Sequence, residues 1–464
     1  MKKKVVILGA GISGLTIAYL LNKDGYDITV LEKKNVPGGT IETKTETGYL
    51  FDQGPNSGLE THPLIGQLVK ELGLQDEIVY ANKEANKRYI LRNGELHALP
   101  MSPPGLLKTN LFSTKAKFRL MAEPFMGRSK DGYYQSISQF VERRLGKEFL
   151  DYAINPFVAG VYAGNPDELS VKSAFPKLYE LEEKYGGLIV GTIKSIRERK
   201  KRAEKSKQTA KMFSFKSGMN IFPQTISSSL KDRVLFETEV TSIEKFDAGY
   251  RIKFIQNEKR NSLDCNILIS AIPAYTAANL VKDLDTKTAE HLLNIYYPPV
   301  LVLYVGYEKS SINRSLDGFG FLIPSKENKS FLGAIWSSVL FPDRCEGDKA
   351  SFTIFVGGSR NPKIAEQDKN ELVAQVLGEF HEIMKISSEP VFITSKFWNK
   401  AIPQYNIGYI EHEKVFEQFE NKFPGFFLAG NYRGGISLGD CVKSSEAVYK
   451  KIRALQGENY GNIP

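Results

Sequence analysis

VVILGAGISGLTIAYLLNKDGYDITVLE, residues 5–32, is the stretch whose reading decides the fold. Residues 4–8 (KVVIL) read as a buried parallel strand, Gly14–Asn22 as a helix and 27–31 (DITVL) as a second strand. Between the first strand and the helix lies Gly9-Ala10-Gly11-Ile12-Ser13-Gly14. Its glycines permit a tight turn and let the backbone approach a pyrophosphate at the helix N-terminus. Glu32 closes the second strand at the distance expected of an acid that accepts hydrogen bonds from a ribose hydroxyl. The unit implies a dinucleotide; the competing reading is a glycine-rich turn that only packs helix on strand.

Working outward, the basic start MKKK and the uncharged run Val5–Leu21 imitate a secretory signal. The glycines at functional spacing, the absence of a small-residue cleavage site and the strand that follows argue against one. No other segment offers roughly 18 uninterrupted apolar residues, so a membrane span is not expected. The 464 residues allow two or three domains, and 42% apolar residues suit a globular protein. A net charge of +9 admits acidic ligands, nucleic acid or an anionic membrane without choosing among them. Cys265, Cys345 and Cys441 have no CxxC spacing, and the five histidines form no ligand pair, so neither a disulfide framework nor a metal site is expected. A reducing compartment fits these thiols.

The apolar spacing from Pro63 to Leu74 is helical, and residues 88–98 read as a hairpin turning at Asn93-Gly94. Pro103-Pro104-Gly105 reads as a boundary, followed by mainly helical text to about Arg202. The basic run at 194–211 reads as a solvated helix and loop, with a polyanion patch as the alternative. Beyond Phe213 the writing is β-rich; Ile267–Ile272 reads as a strand re-entering the first sheet, and Phe426–Arg453 as strand, glycine loop and helix.

Two further glycine motifs extend the first one. Glu32 is followed by KKNVPGGT, Lys33 to Thr40, whose Gly38-Gly39 pair can approach phosphates. Residues 424–440 read PGFFLAGNYRGGISLGD. Together they resemble the split FAD site of the FAD-binding amine oxidase superfamily, except that Thr40 stands where the superfamily usually has Arg. The resemblance implies FAD, held by Gly9, Gly11, Ile12, Ser13, Gly14, Glu32, Lys33, Gly38, Gly39, Thr40, Gly54, Pro55, Asn56, Val240, Trp398, Gly430, Ile436, Ser437 and Leu438. For Val240 an ordinary strand valine remains the alternative.

Several segments point to one branch: Gly54-Pro55-Asn56-Ser57, PFVAGVYAGNP at 156–166, LSVKSAFPKLYELEEKYGG at 169–187, FPDR at 341–344, FVGGSRN at 355–361 and AIPQY at 401–405. They resemble the oxygen-dependent protoporphyrinogen oxidase family over essentially the whole chain. That resemblance implies removal of hydride from a porphyrinogen by the flavin, with molecular oxygen reoxidising it to give peroxide. The cofactor would carry the redox chemistry and the protein the positioning, so no acid/base pair is required. Arg88 matches the family's arginine that meets a propionate, chemistry that guanidinium suits. Asn56 would lie beside the reacting carbon as the catalytic residue, Gly160 would face the macrocycle, and Leu322, Leu332 and Phe355 are candidate apolar walls, each with ordinary turn, cap or core roles as alternatives.

The expected fold class is α/β (α+β overall). A Rossmann-like FAD-binding domain is assembled from residues 1–80, 212–272 and 400–464, a β-rich substrate domain from 81–97 and 273–399, and a helical insert from 98–211. The insert corresponds to the family's membrane-associating region, with Leu106-Leu107, Leu111-Phe112 and Phe125-Met126 as candidates to dip into the interface; burial of the insert on itself is the alternative. Expected partners are a porphyrinogen, molecular oxygen and a membrane surface touched peripherally, with no nucleic acid. A homodimer is an open expectation, and the expected location is cytoplasmic, on the inner face of the cell membrane. Competing activities are coproporphyrinogen III oxidation, amine oxidation and a non-catalytic FAD-stabilised scaffold.

Overall fold

The computed structural model describes residues 3–202 and 210–455; residues 203–209 of the basic run lie outside the described residues. Five parallel strands form the first sheet in the spatial order Val234–Leu235, Asp27–Leu31, Lys4–Leu8, Ile267–Ser270 and Phe426–Leu428. Val5 is in register with Ile28 on one side and Ile267 on the other. Elements on both faces explain why these short strands are near-continuous Val, Ile and Leu.

On one face the helix Ile12–Lys23 lies beside Leu438–Ala454. Ser445 Oγ donates to Ser13 O at 3.1 Å, and Tyr449 Oη donates to Asp24 Oδ2 at 2.6 Å. The helices therefore run parallel, and both N-termini lie at the same end of the sheet. The other face carries an antiparallel meander, Thr238–Phe246, Gly249–Gln256 and Lys259–Cys265, whose Tyr250, Ile252 and Phe254 alternate inward as period-2 writing requires.

The second sheet has seven strands: Phe392–Trp398, Val300–Glu308, Lys349–Gly357, Phe331–Ile335, Gly318–Leu322, Lys87–Arg92 and Glu95–Ala98. Only the Gly318–Leu322 and Lys87–Arg92 pair is parallel. Its last hairpin turns at Asn93 and Gly94, with φ of 53° and 76°, the left-handed pair that this turn needs. Helix Lys369–Met384 packs Val376 and Phe380 on one face. The opposite face, with Val302, Tyr304, Leu332 and Phe355, packs in one cluster with Tyr49, Phe51, Ala159 and Ala163.

The 103–202 region is helical around a buried ion cluster. Arg144, fully buried, donates from Nε to Glu182 at 2.6 Å and from Nη1 to Glu123 at 3.1 Å. Glu123 also accepts the amides of Leu188 and Ile189, so every charge here is compensated, as burial demands. Two sequence expectations change, and a third is given its place. The first helix starts at Ile12, two residues early, because Gly11 is its N-cap. Pro103-Pro104-Gly105, read as a boundary, is where the helix Pro103–Lys108 opens: proline at the first helical positions has no intrahelical N–H to lose, and Ser102 Oγ caps Gly105 N. Leu111 and Phe112 are buried, Phe112 stacking on Phe149 at 4.1 Å, so they are core and not membrane-facing.

Candidate active site

The phosphate cradle is made of backbone. The amides of Ile12, Ser13 and Gly14 precede the first intrahelical bond, Leu15 N to Gly11 O at 3.0 Å, so they point out of the helix end. A Cβ on Gly14 would lie 2.1 Å from Gly9 O, and one on Gly11 would meet no atom within 4 Å. The third glycine therefore serves close packing, while the second leaves its backbone open to a ligand. The Gly38-Gly39 turn joins this cradle directly: Gly38 N donates to Ala10 O at 2.9 Å, and a Cβ on Gly39 would sit 3.3 Å from Gly11 Cα.

Glu32 is buried, with Oε2 accepting Ala10 N at 2.7 Å and Oε1 accepting Lys34 N at 2.9 Å. Each oxygen keeps a further lone pair for a ribose hydroxyl. Thr238 N donates to Glu32 O, and Lys33 pairs with Glu239 at 2.7 Å. These bonds bring the Val240 strand beside the end of Glu32's strand. At the closing motif, Gly430 and Gly9 both flank Ile272, and Ser437 Oγ caps the second helix by accepting Asp440 N. Ile436, Ser437 and Leu438 are thus at the start of the helix that runs alongside Ile12–Lys23. Open backbone, outward amides and a pinned buried carboxylate fit FAD.

From the cradle the chain leads into a cleft. Gly54 packs so tightly that a Cβ would lie 1.9 Å from Thr40 O, and Trp398 Nε1 donates to Gln53 O at 2.8 Å. Asn56, two residues on, lines a cleft with Tyr304, Phe319, Ile335, Ser337 and Thr353. Arg88 is exposed, its guanidinium 5.6 Å over the Phe319 ring, and it has no ion pair among the described residues. Phe355 and Leu332 share one apolar cluster with Val302 and Tyr304. Gly160 lies inside the helix Asn155–Tyr162, where a Cβ would meet Leu322 Cδ2 at 2.6 Å. Arg88, Asn56 and the cradle are therefore brought to one region. Gly160, Leu322, Leu332 and Phe355 are not among the residues that line the cleft.

Sequence reasoning missed Phe319, Ile335, Thr353, Ser337 and Tyr304. It also missed the buried ion pair in the cleft wall, Arg344 Nη2 to Asp52 Oδ2 at 3.3 Å. Asp52 also accepts Thr43 Oγ1 and Met219 N, while Arg344 donates to Phe215 O and Ser214 Oγ. Burial outweighs their attraction at both ends, pushing the Asp52 carboxyl up and the Arg344 guanidinium down. Among the described residues no group of His, Cys, Asp and Glu could hold a metal ion.

Residues 12–448 match the family described as flavin containing amine oxidoreductase. Protoporphyrinogen oxidase 2, chloroplastic/mitochondrial, of Arabidopsis thaliana is 34% identical, covering 95% of this chain and 92% of that protein. Coproporphyrinogen III oxidase of Bacillus subtilis (strain 168) is 28% identical, covering 96% and 97%. A solved structure from Exiguobacterium sp. 255-15, 22% identical, superposes with a TM-score of 0.80 over 98% of this chain and all of that one, which establishes the fold.

Proposed function

The chain belongs to the flavin-containing amine oxidoreductase family, and from that premise we propose that it is an FAD-dependent enzyme oxidising protoporphyrinogen IX to protoporphyrin IX. The observation that carries this reading is Arg88, an exposed cation without a carboxylate partner among the described residues, held over the edge of a cleft that Asn56 and Phe319 line. A flat apolar macrocycle with carboxylate arms matches that combination.

FAD, held by the Gly9–Gly14 turn, Glu32, Lys33, Gly38-Gly39-Thr40, Gly54-Pro55, Val240, Trp398, Gly430 and Ile436–Leu438, supplies the hydride acceptor for the methylene bridges. Arg88 grips a propionate and fixes which bridge enters. Phe319 and Ile335 cover the macrocycle and exclude water, with Gly160, Leu322, Leu332 and Phe355 backing that wall. Asn56 orients the substrate through its amide. Oxygen is the terminal oxidant in this reading, and peroxide the by-product.

Membrane delivery is part of the same proposal. No helix among the described residues is long and apolar enough to cross a membrane. Leu107, Phe118, Met121 and Phe125 are exposed at 64–85% in a region that also carries Lys108, Lys115 and Lys117, a composition suited to peripheral contact with an anionic bilayer, here the inner face of the cell membrane. A homodimer is compatible with this arrangement.

The test is a side-by-side aerobic fluorescence assay on protoporphyrinogen IX and coproporphyrinogen III. The expected outcome is a higher kcat/KM on protoporphyrinogen, because four carboxylates need more unpaired cations than Arg88 alone. Preference for coproporphyrinogen moves the chain to the activity of its Bacillus subtilis relative. A yellow protein converting neither would leave a scaffold.

A further inference from the structure

A porphyrinogen being oxidised must lose protons as well as hydride, and the cleft contains polar groups that the binding account does not use. Thr353 is 2% exposed, yet it lines the cleft and its Oγ1 bonds Ser337 Oγ at 2.9 Å. Asn56 Nδ2 donates to the same Thr353 oxygen at 3.4 Å. With that oxygen accepting from Asn56, the Thr353 proton is free to be donated to Ser337. Ser337 is only half-buried, so the chain runs from the buried floor toward solvent. Tyr304 is the cross-strand partner of Thr353, its side chain standing beside it on the same face. The Tyr304 hydroxyl is buried and has no hydrogen-bond partner in the structure, although such a group ordinarily finds one. The orphaned phenol lines the same cleft and points to a polar ligand group there.

We propose that Thr353 and Ser337 form the exit path for the pyrrole N–H proton, with Tyr304 and Asn56 holding the pyrrole nitrogens over its inner end. This rests on the porphyrinogen reading above. Removal of hydride from a methylene carbon to the flavin leaves a cationic pyrrole system. Neutrality returns when the N–H bond breaks, the electron pair staying on nitrogen. The proton goes to Thr353 Oγ1 as Thr353's own proton passes to Ser337 Oγ and Ser337's passes to water. No oxidant beyond the flavin is needed. Hydroxyls suit the task because they accept from N–H in the reduced macrocycle and donate to the imine nitrogens of the product.

The experiment compares T353V, T353S and S337A with the unmodified holoprotein, after the visible flavin spectrum and the binding of protoporphyrin IX establish intact sites. T353V is expected to lower kcat about 10-fold or more with KM within about twofold, and to enlarge the solvent deuterium isotope effect. T353S should restore both, and S337A should move both in the direction of T353V. Unchanged kcat and isotope effect in T353V and S337A would overturn the path alone, as would T353S behaving like T353V, since packing and not the hydroxyl would then be responsible. Failure of the unmodified protein to oxidise either porphyrinogen would overturn the functional reading and the path with it.

Discussion

The glycine cradle and the cleft adjoin through residues 38–57, yet they are built from opposite materials. The cradle is backbone shaped by missing side chains: Gly14 against Gly9 O, Gly54 against Thr40 O, Gly39 against Gly11. The cleft is side chains from segments far apart in sequence, Asn56 from a loop and Tyr304, Phe319, Ile335 and Thr353 from four strands. A backbone requirement is written into residue type at one position, because only glycine satisfies it. A side-chain wall depends on register between strands, which no single segment contains. The difference predicts that substitutions in the cradle abolish cofactor binding, whereas those in the cleft alter substrate kinetics with the flavin retained.

The sharpest break of that comparison is Gly14→Ala. Its Cβ would sit 2.1 Å from a backbone oxygen that no rotamer change can move, so the strand and helix must part. Colourless protein, or protein whose absorbance near 450 nm is lost on dilution, is the expected result. A fully yellow variant would mean that the cradle tolerates side chains.

Arg344→Met comes next, because it leaves the buried Asp52 carboxylate in the cleft wall without its partner. A loss of about 3–5 kcal/mol in urea unfolding is expected, with much of it recovered when Asp52→Asn is added. A cost below 1 kcal/mol would show that the pair matters little.

Arg88→Ala tests the other side of the comparison. About a 10-fold rise in KM for protoporphyrinogen is expected, the size of a lost charge-assisted contact, with kcat and flavin content little changed. Gly160→Ala should be milder, a several-fold change in KM, since its Cβ meets the movable end of Leu322 at 2.6 Å. Lost flavin in either variant would erase the distinction between the two regions.

The smallest effect lies outside both. His412 Nδ1 is 3.1 Å from His291 Nδ1, and burial followed by that facing histidine pushes His412 down to about 4. Its neutral form is the folded one, so this contribution to stability is full above the ordinary histidine pKa, near 6.5, and is lost as pH falls toward 4. With partial solvent exposure discounted, His412→Phe should flatten urea stability across that window by about 1 kcal/mol while leaving KM at pH 8 unchanged. An undiminished slope would place the titration elsewhere.

The same contrast explains what could be read from residues alone. GAGISG, Glu32, the Asn93-Gly94 turn and the strand at 267–270 were legible because each is a local requirement with a distinctive residue type. Arg88 is singled out only through its resemblance to a family position, and its role is part of the proposal. Phe319 and Ile335, which line the cleft, were not legible, for a physical reason. Bulges between Gly318 and Gly320 and between Phe331 and Gly333 break the two-residue alternation, so counting along the strand assigns the wrong faces. The glycines Gly320 and Gly333, with φ of 142° and 153°, were the available warning, since an isolated glycine within a strand often marks a bulge. Leu111 and Phe112 failed differently: an apolar pair in a helical insert reads the same whether it faces lipid or Phe149.

The most direct test of the central claim is anaerobic mixing of the yellow holoprotein with one equivalent of protoporphyrinogen IX, following flavin absorbance together with porphyrinogen consumption. The account predicts bleaching of the flavin as substrate is consumed, with colour returning and porphyrin fluorescence appearing once air is admitted. A flavin that stays oxidised with protoporphyrinogen IX, yet is bleached by dithionite and recovers in air, would contradict it.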